Sequence, residues 1–566
     1  MKTETVWVYN PPCETAKKLS KELGLPLTFS QILVNRKIKD TQEAQRFLHG
    51  TLDDLHDPLR MKGMEIAVER INKAIASGEK IFIFGDYDVD GILSLVALTR
   101  ALESLGGKVE HYIPDRLKKG YGIKEEYIDI VLEKKASLVI SVDCGMRAGG
   151  FVLRAAEEGI DVIITDHHLP GPDLPKALCV LNPVLESADY PDKKLAGIGV
   201  AFKLIQALME NRQRSAALPH YLKLVAIATI ADIAELRGEN RLFVKYGLKG
   251  LEQVSNIGLS SLLGVCGLKG KKVGVGDVGF RIGPRINAAG RLGMTDLVVD
   301  LFFSESESEA IEIASKLDSL NLKRQKIEAK ILNQALAQIK DKMLDEKYKL
   351  FILGCDQWHR GVIGIVASKL KDLYNRPVIL FSYDDGRAAG SGRSIPSFSL
   401  IDCLEASKEH FINYGGHTLA VGCELEQRMI PGLKHTVNAY TSSAISEDHL
   451  KKKIYADSQI SFTEIDSGFL KNLDLLSPYG VGNSRPVFLT NRAVLSEKPN
   501  KIHNKHSKMI LKNDGRWFEA LGWNRPEWSD MLSQGDVVDV VFSLQKSEFM
   551  GEQKYSLSIL DIKPSS

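Results

Sequence analysis

An α/β fold built on a parallel sheet is predicted by three stretches that share one shape, and by the way the pattern changes beyond them. IFIFGDYDVDG (81–91), SLVISVDCG (137–145) and DVIITDHH (161–168) are each a short apolar run that ends abruptly in polar residues. Helical spacing with a glycine stop follows the first two. Apolar strands alternating with helices pair in parallel, because parallel neighbours need a crossover.

The remaining elements follow in order. From 304 to 346 a long charged amphipathic segment carries Ile313, Leu317, Leu320, Ile327, Ile331 and Ala335 on one stripe, and reads as a helix connecting two lobes. KLFILGCDQWHRGVIGIVASKL (349–370) starts a second strand–loop–helix block, which runs through GSGRS (390–394) to YGGHTLAVG (414–422). Beyond about Tyr455 the runs KMILK, WFEALGW, DVVDVVFSL and YSLSILDI alternate and predict a small antiparallel barrel of the oligonucleotide-binding (OB) type. Its basic segment KIHNKHSK, with Trp517, Phe518 and Trp523 nearby, suits a strand-binding face. The expected order is an N-terminal extension (1–50), a parallel-sheet domain (51–303), a connecting helix (304–346), a smaller α/β domain (347–454) and the barrel (455–566).

Bulk properties agree with a multidomain globular chain. Its 566 residues exceed one core, and 26% charged with 44% apolar residues leaves no run long enough to cross a bilayer. The first residues, MKTETVWVYNPPCETAKK, lack the basic and apolar segments of a secretory signal. Seven scattered cysteines without CxxC spacing argue against a zinc ribbon or disulfide framework and fit a reducing cytosol. A net charge of +2 leaves a polyanionic partner open, since phosphate backbones are bound by local basic stripes.

In open parallel sheets the ligand lies off the carboxyl ends of the strands. That rule gathers Asp86, Asp88, Asp143, Asp166, His167 and His168 into one crevice. Two carboxylates at i and i+2 repel unless a cation sits between them. By itself DYDVDG, with Asp90 as its third acid, fits a solvated turn or a helix cap as well as a ligand set. Asp143 repeats the design of an acid at the end of an apolar strand. A lone DHH could be a surface turn, but it follows the buried-strand pattern VIIT directly. Asp232, between small and apolar residues in TIADIAEL, is either a buried helix cap or a further ligand. Such carboxylates with one imidazole make a hard site suited to Mn2+ or Mg2+ rather than to a thiolate zinc centre. Cys144 reads as a small packing residue.

GDYDVDG, SVDCG, ITDHH and TIADIAEL, in this order, resemble the four motifs of the DHH phosphoesterase superfamily. GPRINAAGRL, WHRGVIGIVASKL, GSGRS and YGGHTLAVG are similar to its RecJ branch and to the associated DHHA1 domain, so the likeness covers the chain from about residue 30. It implies that Asp86, Asp88, Asp143, His167 and Asp232 ligate two divalent ions, Mn2+ or Mg2+, with Asp143 as the bridge. Asp90 and Asp166 would assist or support, while His168 and Arg393 would neutralise charge on the phosphoryl oxygens. Ser391, Arg393, Gly415, Gly416 and His417 would bind substrate phosphates, with Arg116 and Arg285 as further candidates for a terminal phosphate. The activity implied is a 5′-to-3′ exonuclease that releases mononucleotides from single-stranded DNA in recombination and repair. The resemblance also raises a single-strand-binding protein and a RecQ-type helicase as partners. The chain's end soon after YSLSILDIKPSS weighs against those contacts, and a monomer is the default. Two alternatives remain: a relative acting on short RNA, cyclic dinucleotides or pyrophosphate, and a catalytically silent replication scaffold.

Overall fold

The computed structural model describes residues 5–114, 122–209, 216–549 and 552–565. Its first large sheet has five strands in the order Lys108–Tyr112, Lys80–Gly85, Leu138–Val142, Asp161–Thr165 and Cys179–Leu181, all pairings parallel. Both faces are covered, which is why the central strands read as continuous apolar runs. Ile81 and Ile83 point into one core with the helices Met64–Ala76, Val89–Ser104 and Gly197–Leu208, while Phe82 and Phe84 meet Tyr127, Phe151 and Val152 on the other side. Register then places the chemistry. Gly85, Val142 and Thr165 are paired across three strands, so the residues after them, Asp86, Asp143 and Asp166, emerge side by side.

The helix after the first motif begins at Val89, earlier than its apolar spacing suggests. Asp88 Oδ1 accepts hydrogen bonds from the backbone N–H groups of Asp90 and Gly91 and so caps it.

A 35-residue helix, Glu307–Asp341, follows, starting where Ser306 accepts from Glu309 N–H. Ala310, Ile313 and Leu317 belong to the core of the parallel-sheet domain; Ile331, Ala335 and Ile339 pack with Trp358 and Val362 of the next domain. That smaller domain has the sheet order 413–417, 420–426, 387–393, 378–384, 351–355, parallel only between the last two.

The C-terminal sheet has seven strands, in the order Ser458–Gln459, Phe488–Leu495, Val537–Phe549, Glu552–Pro564, Arg516–Gly522, His506–Asn513, Asn500–Ile502; Phe488–Leu495 also pairs with His506–Asn513. It departs from the all-antiparallel expectation: Ser458–Gln459 runs parallel to Phe488–Leu489, and Ala520–Gly522 to Leu557–Ile559. Alternation within a strand cannot reveal this, because a parallel partner is set by a long connection rather than by a local turn.

The segment from Leu23 to Leu48 shares this C-terminal core. Phe29, Ile32, Leu33 and Phe47 pack with Phe462, Leu473, Phe488 and Phe542, and the strand Thr5–Tyr9 pairs in parallel with Lys452–Ala456. One buried side chain ties this unit to the parallel-sheet domain. Arg241 donates to the carbonyls of Phe47, Leu475, Leu476, Ser477 and Pro478, and its guanidinium lies 4.0 Å from the centre of the Phe47 ring. Nearby, Leu236 N–H donates to Val481 O at 2.7 Å. No described helix is long and apolar enough to cross a membrane.

Candidate metal centre

Asp143 stands at the middle strand end with φ +60° and is 2% exposed. Its backbone N–H donates to Thr165 O, which turns the carboxylate toward the strand end carrying Asp86 and the loop carrying His167. His167 Nδ1 lies 3.2 Å from Leu195 O. A ring N–H donated to that carbonyl fixes the tautomer and leaves Nε2 as a bare lone pair. Nε2 then sits 3.1 Å from Asp143 Oδ1, 3.9 Å from Asp232 Oδ2 and 4.0 Å from Asp90 Oδ2. Both Asp143 Oδ1 and His167 Nε2 are buried without a hydrogen-bond partner.

Three donor groups converge, each with its ligand atoms within 4.8 Å of one another: Asp86, Asp88 and Asp143; Asp143, His167 and His168; Asp90, His167 and Asp232. Asp143 belongs to two of them. Two buried acceptor atoms facing each other unpaired are costly in a protein interior. A divalent cation removes the cost, and oxygen ligands with one imidazole suit Mn2+ or Mg2+.

Electrostatics agree. Burial first, and neighbouring carboxylates second, push Asp90 up to about 7, Asp232 up to about 9 and Asp143 well above its usual range. Burial and the charge of His168 pull His167 down to about 4, so the ring is a neutral ligand at neutral pH. His168 moves oppositely: burial lowers it, but the hydrogen bond to Asp166 at 2.8 Å and that residue's charge prevail and raise it to about 9.

These shifts predict a pH effect. The folded protein without a cation keeps the Asp232 proton up to about pH 9, whereas the unfolded chain releases it near 4. Folding therefore takes up a proton, and stability falls as pH rises through that window. From pH 7 to 9 this carboxyl is expected to cost roughly 2 kcal/mol, with His168 adding in the same direction. Thermal denaturation at three pH values, in chelator and in excess Mn2+, checks it: the metal-free midpoint should fall with pH and Mn2+ should flatten the trend. A flat metal-free profile would show that these carboxylates do not share one buried site.

Asp90 and Asp166 have supporting places. Asp90 accepts from Gly197 N–H at 2.7 Å and Ile198 N–H at 2.9 Å, fixing the start of the helix Gly197–Leu208. Asp166 accepts from His167 N–H, His168 N–H and Met146 N–H, so its oxygens are committed to the loop it organises. Gly197 escaped sequence reasoning, although a Cβ there would lie 2.5 Å from Asp143 Oδ1; the GIG at 197–199 before an apolar run is its signal. Asp232 caps the C-terminal end of the helix Leu218–Ala231, where the dipole disfavours an anion and a cation is again the natural neighbour. The next residue, Ile233, has φ +62°, a conformation costing a β-branched side chain about 1–2 kcal/mol.

The second domain presents its candidates on one sheet face. His417, Ala420 and Arg393 are in register across three strands, as are Gly415, Gly422 and Ser391, two residues away on the same face. Small residues in the middle strand leave a shallow trough. Gly364, in the first turn of the helix Ile363–Tyr374, comes so near Ser391 and Arg393 that a Cβ would sit 2.9 Å from Ser391 Oγ. A hydroxyl, a guanidinium and a helix N-terminus thus meet, a combination suited to phosphate. Gly415, Gly416 and His417 lie in the edge strand Asn413–His417, where Gly416, with φ +141°, allows close approach to Ala420 O.

The two candidate sites are linked by contact. Gly290 lies against Tyr87 O, between Asp86 and Asp88; Arg291 donates to Gly361 O at 2.9 Å; and Gly361 leads into Gly364. Gly290, Arg291, Gly361 and Gly364 stand in motifs named above, yet nothing in the sequence assigns them a role. Arg285 pairs with Asp318 of the long helix at 2.7 Å and donates to Arg281 O. Arg116 lies outside the described residues.

Comparison with known proteins matches this arrangement. Family models match three segments: the DHH family N-terminal domain at 80–229, the DHHA1 domain at 347–443 and the RecJ OB domain at 456–561. The single-stranded-DNA-specific exonuclease RecJ of Bacillus subtilis is 36% identical, over 98% of this chain and 70% of that protein. The Escherichia coli protein of the same name is 30% identical over 95% of this chain and 96% of its own length. The crystal structure of RecJ from Thermus thermophilus in complex with Mn2+ superimposes with a TM-score of 0.84 at 29% identity, covering all of this chain and 80% of that one. On likeness of this extent, carried by the strand ends and by all three domains, the chain belongs to the RecJ family of DHH phosphoesterases.

Proposed function

We propose that this chain is a single-stranded-DNA-specific exonuclease that hydrolyses phosphodiester bonds with two divalent ions, Mn2+ or Mg2+, working from the 5′ end and releasing mononucleotides. The observation that carries the reading is the buried pair Asp143 Oδ1 and His167 Nε2, 3.1 Å apart and unsatisfied, at the junction of the donor groups. Asp86, Asp88 and Asp143 would hold one ion, and Asp143, His167 and Asp232 the other. Bound there, the ions would supply activation of water and compensation of charge at phosphorus.

The chain's own residues do the rest. Asp90 and Asp166 are positioning residues: Asp90 fixes the helix whose Gly197 lies against Asp143, and Asp166 fixes the loop bearing His167 and His168. His168, kept protonated by Asp166, donates to a phosphoryl oxygen as negative charge grows there. Arg393, Ser391, Gly415, Gly416 and His417 take the terminal phosphate in the trough, and that anchoring gives the 5′ polarity. On the barrel, Trp517 at 64% and Trp523 at 45% exposure offer ring faces to incoming bases, beside the basic segment KIHNKHSK. No nucleophilic serine or cysteine enters.

Recombination and repair in the cytoplasm, as a monomer, complete the reading, and seven free thiols fit that compartment. Contacts with a single-strand-binding protein and a RecQ-type helicase belong to the same setting. Purified protein with Mn2+ and DNA labelled separately at each end, beside duplex and RNA controls, tests it. Early metal-dependent release of 5′-labelled mononucleotide from single strands is expected. Preference for duplex, RNA or dinucleotides, or absence of metal-dependent cleavage, would overturn the reading.

A further inference from the structure

The helix that delivers Asp232 ends in a turn where Ala234 N–H donates to Thr229 O and Ile233 N–H to Ile230 O, both at 3.2 Å. This is the bonding of a Schellman cap, whose left-handed position is ordinarily glycine. Here it is Ile233. Among the described residues with positive φ it is the only β-branched one. The strain is not offset by packing, for Ile233 is 68% exposed. A side chain that costs the free protein energy and buries little surface has to be accounted for by something outside the fold. Its neighbour indicates what. Asp232 faces His167 at 3.9 Å, so a scissile phosphate held at this centre brings its flanking nucleotides beside residue 233.

We propose that Ile233 is a substrate-contact residue, its apolar side chain packing against the nucleobase that flanks the scissile phosphate. The inference rests on the exonuclease reading above. Phosphate and metal contacts are the same for every nucleotide and grip only the backbone. An apolar group beside a base grips its face without reading its hydrogen-bonding edge, and so holds the strand in register while accepting all four bases.

The test uses the full chain with Ile233→Gly, Ile233→Asn and Ile233→Leu. Glycine and asparagine accept the left-handed position and remove the apolar face; leucine keeps that face. On single-stranded DNA, Ile233→Gly and Ile233→Asn should raise KM about five- to thirty-fold, the size of one lost base contact. Their kcat, their Mn2+ requirement and their thermal midpoints should not fall, and Ile233→Leu should stay near wild type. On strands abasic at the first or the second position from the attacked end, wild type and Ile233→Gly should converge for one of the two. Equal KM on intact DNA, a difference that persists on both abasic strands, or lowered midpoints in both Ile233→Gly and Ile233→Asn would overturn the contact. If wild type cuts single strands and all variants cut alike, the contact alone falls; if wild type cuts nothing, the exonuclease reading falls and takes the contact with it.

Discussion

Asp143→Ala is expected to lower metal-dependent cleavage at least about a thousandfold, equivalent to about 4 kcal/mol of transition-state stabilisation. Among the described residues, no other carboxylate belongs both to the group with Asp86 and Asp88 and to a group with His167. Its removal therefore uncouples two ion sites rather than weakening one. Position 143 has φ +60°, which alanine accepts less readily, so Asp143→Asn is the sharper variant: asparagine keeps the left-handed backbone and the volume and removes the charge. Both variants should fold. In chelator the Asp143→Asn midpoint should stay near wild type at neutral pH, since burial already pushes this carboxyl toward its neutral form, and added Mn2+ should stabilise both variants less. If Asp143→Asn keeps more than about a tenth of the Mn2+-dependent rate, the shared-ligand geometry is wrong.

Arg241→Met should cost about 3–5 kcal/mol of stability, the range for breaking a buried, hydrogen-bonded charge. Burial lowers this guanidinium to about 10, so it remains charged at neutral pH. Its five carbonyl acceptors come from Phe47 and from 475–478, and methionine satisfies none of them. The loss falls on the joint between the catalytic domain and the unit formed by both chain ends. Calorimetry should show the variant's transition splitting, with the lower step belonging to that unit. Because Leu236, four residues after Asp232, bonds Val481 across the same joint, cleavage should weaken as well. A midpoint within about 1 °C of wild type would mean that the joint is held elsewhere.

How much of this was legible in the sequence depended on the range of the forces involved. A strand buried on both faces writes itself as an unbroken apolar run, and its end shows as an abrupt polar residue. Asp86, Asp143 and Asp166 were visible for that reason, and sheet register then places them together. What each carboxylate does was not visible. Asp90 looks like Asp86 and Asp88 along the chain, yet its oxygens are taken by the amides of Gly197 and Ile198, whose approach depends on the packing of a helix more than a hundred residues away. The ion pair of Arg285 was hidden similarly, because Asp318 is its neighbour only after two helices pack. Composition marked 415–417 as glycine-rich, and it did not show that these glycines let an edge strand lie tightly on its partner. The parallel pairs of the C-terminal sheet and the place of the first fifty residues are long-range outcomes with no local signature.

The shared core of the two chain ends sets a timetable for synthesis. Phe29, Ile32, Leu33 and Phe47 leave the ribosome about 400 residues before Phe462 and Phe488, against which they pack. At roughly 5–20 residues per second, those apolar faces wait about 20–80 s for their partners, while the parallel-sheet domain between them can already close. The nascent chain thus passes through a long interval with a finished centre and an unfinished beginning. Closure of that first segment is therefore timed by translation rather than by intrinsic folding speed.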